Sequence, residues 1–175
     1  MNEGMYDNIE VMNDLPPEVA EQIIGMEEML FPEALRWDEE EFRNTLNSST
    51  PKVVAYDENG NVIGYIISEK HNDILDELRK ADPDIEEISD AVHLASIGIH
   101  PEHQGKGYFS KLMKKFLEHV GSRHVTAHAR SANNSSIGFQ KHGGVVVHSV
   151  PDWYGSGETF DYIIIPPGEE IPREH

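Results

Sequence analysis

Apolar positions recur at helical spacing in some stretches of the chain and in short strand-sized runs in others. Ile9–Met12 reads as a short first strand. Pro16-Pro17 followed by Glu18 opens a helix, because proline suits the first turn and an acid there complements the helix dipole. Val19, Ile23, Met26, Glu27 and Leu30 give that helix one mostly apolar side, and it ends before Pro32. Asp38 reads as the cap of a second helix through Leu46, with Trp37 and Phe42 packing inward. Lys52–Tyr56 and Val62–Ser68 flank Asp57-Glu58-Asn59-Gly60-Asn61, the signature of a hairpin.

The stretch His71–Ala91 is strongly acidic, and its few apolar residues predict two short helices broken at Pro83. Val92–Ile99 is a strand ended by Pro101. Phe109, Leu112, Met113, Phe116, Leu117 and Val120 have the spacing of a helix buried on one side. His124–Arg130 alternates as a strand, and Asn133–His142 reads as a short helix closed by Gly143-Gly144. Val145–Val150 and Phe160–Ile165 are the last strands, joined by a turn holding Trp153 and Tyr154. The order of hairpins and crossover helices implies an α/β fold, a mixed sheet with helices on both faces. Residues 1–165 are expected to form a single domain with an acidic insert at 71–91, followed by a frayed tail at 166–175.

Composition narrows the function. The 175 residues hold 32 acids and 14 bases, a net charge of −18, which argues against nucleic acid and anionic membrane surfaces as partners. No apolar run approaches membrane-span length, and no basic leader opens the chain, so a cytoplasmic protein is expected. Cysteine is absent, which removes disulfides and thiolate nucleophiles together. Half of the bases nevertheless lie between Gln104 and Lys141, where Glu118 is the one acid. That pattern suits either a solvated helix face or a local site for a compact anion.

The chemistry concentrates in Ile97-Gly98-Ile99-His100-Pro101-Glu102-His103-Gln104-Gly105-Lys106-Gly107-Tyr108, a strand running through a glycine turn into a helix. Glycines let the backbone approach a ligand, and the first free amides of a helix point at it with the positive end of the dipole, so phosphate is the natural guest. Here the chain resembles the GNAT superfamily of acetyl-coenzyme A-dependent N-acetyltransferases. Gln104-Gly105-Lys106-Gly107-Tyr108-Phe109 matches that family's Gln/Arg-x-x-Gly-x-Gly/Ala loop except at its last position, and Asn133-Asn134-Ser135-Ser136 looks like its following Asn-x-x-Ala/Ser motif. The resemblance implies that amides of Gln104, Gly105, Lys106, Gly107 and Tyr108 cradle the coenzyme A pyrophosphate. It also implies that the strand around Ile97 and Ile99 pairs with the pantetheine arm, that the Ile97 N–H polarises the acetyl carbonyl, and that Asn133 holds the pantetheine side. Lys111, Lys114 and Lys115 are candidates for the adenosine phosphates.

Two departures from the family pattern stand out: Phe109 replaces a small residue, and Gln140 stands where the family often has a general-acid tyrosine. By the same resemblance His93 is the candidate base, at a strand position where similar enzymes place Glu or His; the alternative is a hydrogen-bonded core histidine. Tyr154 either packs under its turn or supplies the missing hydroxyl. A metal is not expected, since His124 and His128 on one strand stand about 13 Å apart. The expected activity is transfer of acetyl from acetyl-coenzyme A to a primary amine of a cationic small molecule or peptide. The alternative is a coenzyme A-binding module without turnover, and a homodimer is compatible with either.

Overall fold

The computed structural model describes residues 8–33, 38–131 and 134–167. Seven strands form one mixed sheet: β1 (Asn8–Met12), β2 (Lys52–Tyr56), β3 (Val62–Lys70), β4 (Val92–Ile99), β5 (Val125–Arg130), β6 (Val145–Val150) and β7 (Phe160–Ile165), in the order β1-β2-β3-β4-β5-β7-β6. The chain divides into two compact units, Met1–Ser68 with Ser96–His119, and Glu69–Ala95 with Val120–His175.

In the first unit, β1, β2 and β3 form an antiparallel meander. Its hairpin closes as expected: the Asp57 carboxylate accepts from the amides of Asn59 (2.9 Å) and Asn61 (2.8 Å), and Gly60 takes φ of +83°. Helix α1 (Pro17–Leu30) and helix α2 (Glu39–Asn47) begin where proline and a cap predict, with Asp38 accepting from the Glu41 amide at 3.2 Å. Trp37 lies outside the described residues. Tyr65 and Gly64 are adjacent in β3 and therefore face opposite sides. Tyr65 meets Glu27 of α1, whereas a Cβ on Gly64 would meet Leu112 of helix α4 (Tyr108–Val120) at 3.2 Å, so each face carries a helix. The apolar stripe read from the sequence, Leu112, Met113, Phe116, Leu117 and Val120, is the buried side of α4.

In the second unit β4 pairs in parallel with β5, and β5, β7 and β6 are antiparallel. Asp161 and Tyr162 of β7 point to opposite faces by the same alternation. Ser136 of helix α5 (Asn134–Lys141) donates to Asp161 at 2.7 Å on one face; His71 of the insert bonds Tyr162 at 3.0 Å on the other. The insert departs from expectation. A 3-10 turn (His71–Ile74) leads into one turn of helix, α3 (Leu75–Leu78), and no helix follows Pro83. The backbone there bonds to side chains instead: Arg79 donates to the Ile85 carbonyl at 2.9 Å, and Asn72 holds Ile88. Leu75, Leu78 and Ile85 then cover Tyr162, so the acidic insert has an apolar underside.

Candidate active site

The glycine turn lies wholly in the first unit. After β4, a 3-10 turn (Pro101–His103) is capped by His100, whose Nδ1 accepts from the Glu102 amide at 3.2 Å. The turn then passes Gly105 (φ +78°) and Gly107 (φ +87°) into α4. A Cβ on either glycine would have nothing within 4 Å, so both backbones face open space in front of a helix N-terminus. Gln104 does more than present an amide: its Nε2 donates to the Ile99 carbonyl at 3.0 Å and ties the turn to β4. Lys106 is exposed, and the Tyr108 ring stands edge-on to His103 at 5.9 Å with Lys111 5.0 Å above it. Phe109 is half-buried. Lys111, Lys114 and Lys115 line a shallow depression of about 380 Å³ with Ile9 and Glu118.

Backbone groups alternate sides along a strand. The His100 amide donates to the Ile63 carbonyl at 2.8 Å, so those of Ile99 and Ile97 point to the opposite edge. The register of β4 with β5 covers Val92 to Leu94 and ends there. Beneath this stretch Glu27 is buried and accepts from the hydroxyls of Tyr65 and Ser96; burial pushes its carboxyl above the usual range against those two bonds. Asn133 lies outside the described residues.

His93 belongs to the second unit, on the same strand as Ile97 but four residues earlier. It is buried, with Nδ1 2.8 Å from the Thr126 hydroxyl. The His128 and His71 rings lie 5.7 and 6.3 Å away. Burial, reinforced by these two neighbours, holds its pKa well below the usual 6.5, so it is neutral at physiological pH. Asp82 of the insert accepts from Nε2 of both His128 (2.9 Å) and His148 (2.8 Å). Burial acts to raise its pKa, but the two histidine bonds outweigh that and leave it below the ordinary value. Tyr154 sits at φ +49°, and its hydroxyl donates to the Glu77 carbonyl at 2.8 Å. Reasoning from sequence missed Thr126 as the hydrogen-bond partner of His93 and His128 as its ring neighbour. The available signal was polar residues at every second position of β5, Thr126 and His128, which share a face with His93. Among the described residues, no three His, Asp or Glu side chains gather as a metal ion requires.

A mixed sheet whose strand runs through an open two-glycine turn into a helix defines an α/β protein with free helix amides facing open space at that junction. The open space before Gly105 and Gly107 fits a pyrophosphate. The acetyltransferase (GNAT) family profile matches residues 20–143, and the chain belongs to that family, whose cosubstrate is acetyl-coenzyme A. Solved structures of similar fold include the ribosomal-protein-S18-alanine N-acetyltransferase from Escherichia coli, at 15% identity and a TM-score of 0.68 over 95% of this chain and 99% of that one. Naa20 from Chaetomium thermophilum with a bisubstrate analogue aligns at 22% identity and a TM-score of 0.68, covering 96% and 90%. Arabidopsis thaliana NAA60 with acetyl-CoA aligns at 16% identity and a TM-score of 0.66, covering 91% and 99%. A search of curated proteins finds no match. No helix among the described residues is long and apolar enough to cross a membrane.

Proposed function

We propose that this chain transfers the acetyl group of acetyl-coenzyme A directly to a primary amine of a cationic small molecule or peptide, with residues 1–165 acting as one domain. The carrying observation is the open turn at Gly105 and Gly107 joined to a β4 edge whose Ile97 and Ile99 amides point away from β3. Amides from Gln104 to Tyr108 bind the pyrophosphate, the backbone of Ile97 and Ile99 pairs with the pantetheine arm, and Asn133 holds its far side. Acetyl-coenzyme A supplies the activated acyl group; the Ile97 N–H polarises its carbonyl. His93, neutral at physiological pH, takes the proton that the attacking ammonium loses. Tyr154 shares its proton with the departing sulfur, for which its hydroxyl must leave the Glu77 carbonyl. With no cysteine in the chain, transfer is direct. The exposed acids of the insert favour a cationic acceptor.

One observation favours a second reading, a coenzyme A-binding module without turnover. Gln140 stands at the family's tyrosine position with its amide on Ser136 (3.3 Å), and an amide cannot protonate a thiolate. Melting with acetyl-coenzyme A at 100 times its dissociation constant should raise stability by about 2.7 kcal/mol, roughly 5–10 °C for a chain of this size. Gly107→Glu should abolish the shift by setting a carboxylate against phosphate. Release of free thiol across a panel of amines then decides between enzyme and module, while an unshifted wild type refutes both.

A further inference from the structure

Glu27 of α1, Tyr65 of β3 and Ser96 of β4 meet inside the first unit, and all three are buried. The hydroxyls of Tyr65 and Ser96 both donate to the same carboxylate oxygen, Oε2 of Glu27. Its Oε1 takes no hydrogen bond among the described residues and is not sealed from water. Gly98 lies two residues beyond Ser96 on the same face of β4, against the Tyr65 ring. A Cβ there would stand 2.5 Å from the Tyr65 hydroxyl oxygen and 2.6 to 2.7 Å from ring carbons, so glycine is needed for room. Between these two contacts lies Ile97, whose amide points away from β3. Its N–H shares one rigid peptide plane with the Ser96 carbonyl, and that plane turns only about ψ of Ser96 and φ of Ile97. Glycine is the loosest joint a strand can contain. Here the joint is blocked by the Tyr65 ring, and the ring is held by Glu27.

We infer that Glu27, through Tyr65 and Ser96, fixes the direction of the Ile97 N–H, and that all three are positioning residues for acetyl transfer. The catalytic consequence rests on the reading above that this N–H polarises the acetyl carbonyl; the holding of the amide does not. A donor stabilises a developing oxyanion best when it is already aimed at it, because turning it during the reaction costs part of the gain. What the cluster needs from Glu27 is one acceptor oxygen for two hydroxyls. The charge is not needed, and an anion beneath an oxyanion would oppose it.

The test combines 15N relaxation of the labelled full chain with steady-state thiol release. In wild type the Ile97 amide should have an order parameter of about 0.85, that of rigid backbone. Glu27→Leu releases both hydroxyls. Ser96→Ala releases only the strand, and serves if Glu27→Leu fails to fold. Each should lower the order parameter toward about 0.6 and kcat about tenfold or more, with KM for acetyl-coenzyme A unchanged. Glu27→Gln offers one amide oxygen to both hydroxyls and turns its NH2 to the water on the Oε1 side, so it should restore both readouts. A merely structural cluster would lower the melting temperature and leave the Ile97 order parameter and kcat as in wild type. An order parameter unmoved in the variants that fold overturns the inference. So does a glutamine variant as slow as the others, which would make the charge of Glu27 the active feature. A loosened amide with a wild-type kcat refutes the reading of Ile97 as donor to the acetyl carbonyl, and with it the catalytic consequence.

Discussion

Replacing Asp82 by alanine removes a carboxylate that accepts from two imidazoles, those of His128 and His148, in the second unit. The loss is uneven. The His128 side chain is 3% exposed, and its Nδ1 already lacks a partner, so without Asp82 the ring is buried with neither nitrogen bonded. An unsatisfied buried donor costs about 1–3 kcal/mol, more when the lost acceptor was charged. His148 is 29% exposed and can turn to water, adding little. The sum is about 2–4 kcal/mol, or roughly 5–15 °C in Tm for a chain of this size. Asp82→Asn is the graded control. Its carbonyl in the Oδ2 position still accepts from His128, and its amide faces only the more exposed His148, so the loss should be about half. Urea and thermal unfolding at pH 7.5, followed by fluorescence of Trp153, whose ring lies 4.4 Å from His128, measures all three proteins. An alanine variant within about 0.5 kcal/mol of wild type, or an asparagine variant worse than alanine, refutes the account of this cluster.

Stability should also fall with acid through the buried histidines. Burial holds His71, His93 and His128 below the usual value, so below about pH 6.5 the unfolded chain binds protons that the folded chain refuses, and each such residue removes up to about 1.4 kcal/mol per pH unit. Asp82 adds a later loss, because its contribution is present above about 3.8 and disappears only as pH passes its lower folded value. Urea midpoints at pH 7.5, 6 and 5 (about one histidine titration range) check the order, and a flat profile contradicts it. Gly98→Ala should cost about 1–3 kcal/mol, since its Cβ would meet the Tyr65 ring at 2.5 to 2.7 Å and that buried ring is held by Glu27; an unchanged urea midpoint would mean that the ring yields. Tyr154→Phe should lower turnover tenfold or more with acetyl-coenzyme A affinity unchanged, and equal turnover would leave Tyr154 as a wall only.

The elements whose cause is local were legible without coordinates. The α4 stripe, the Asp57–Asn61 turn, the Asp38 cap and the glycine turn after β4 each follow from residues within one or two turns of chain, and each stands where the spacing places it. The insert was misread beyond Pro83 for the opposite reason. Its backbone partners are side chains, Arg79 and Asn72, six and 16 residues from the carbonyls they hold, and periodicity carries no trace of such bonds.

The sequence by itself determined the class of protein, because a mixed α/β order and a two-glycine turn at the mouth of a helix depend on propensity, φ and dipole, which are properties of neighbouring residues. Tertiary structure alone decided where charge and polarity could be buried. Glu27 resides inside because Tyr65 and Ser96, 38 and 69 residues away, donate to it. Lys52 sits in a strand with no exposure because carbonyls of Asn13, Ser48 and Thr50 receive its ammonium. The environment of His93 is set by Thr126, 33 positions away, which holds its Nδ1, and by His128, whose ring lies 5.7 Å off. Desolvation of a polar group is offset only by partners at about 3 Å, and folding alone brings partners so distant in sequence to that range.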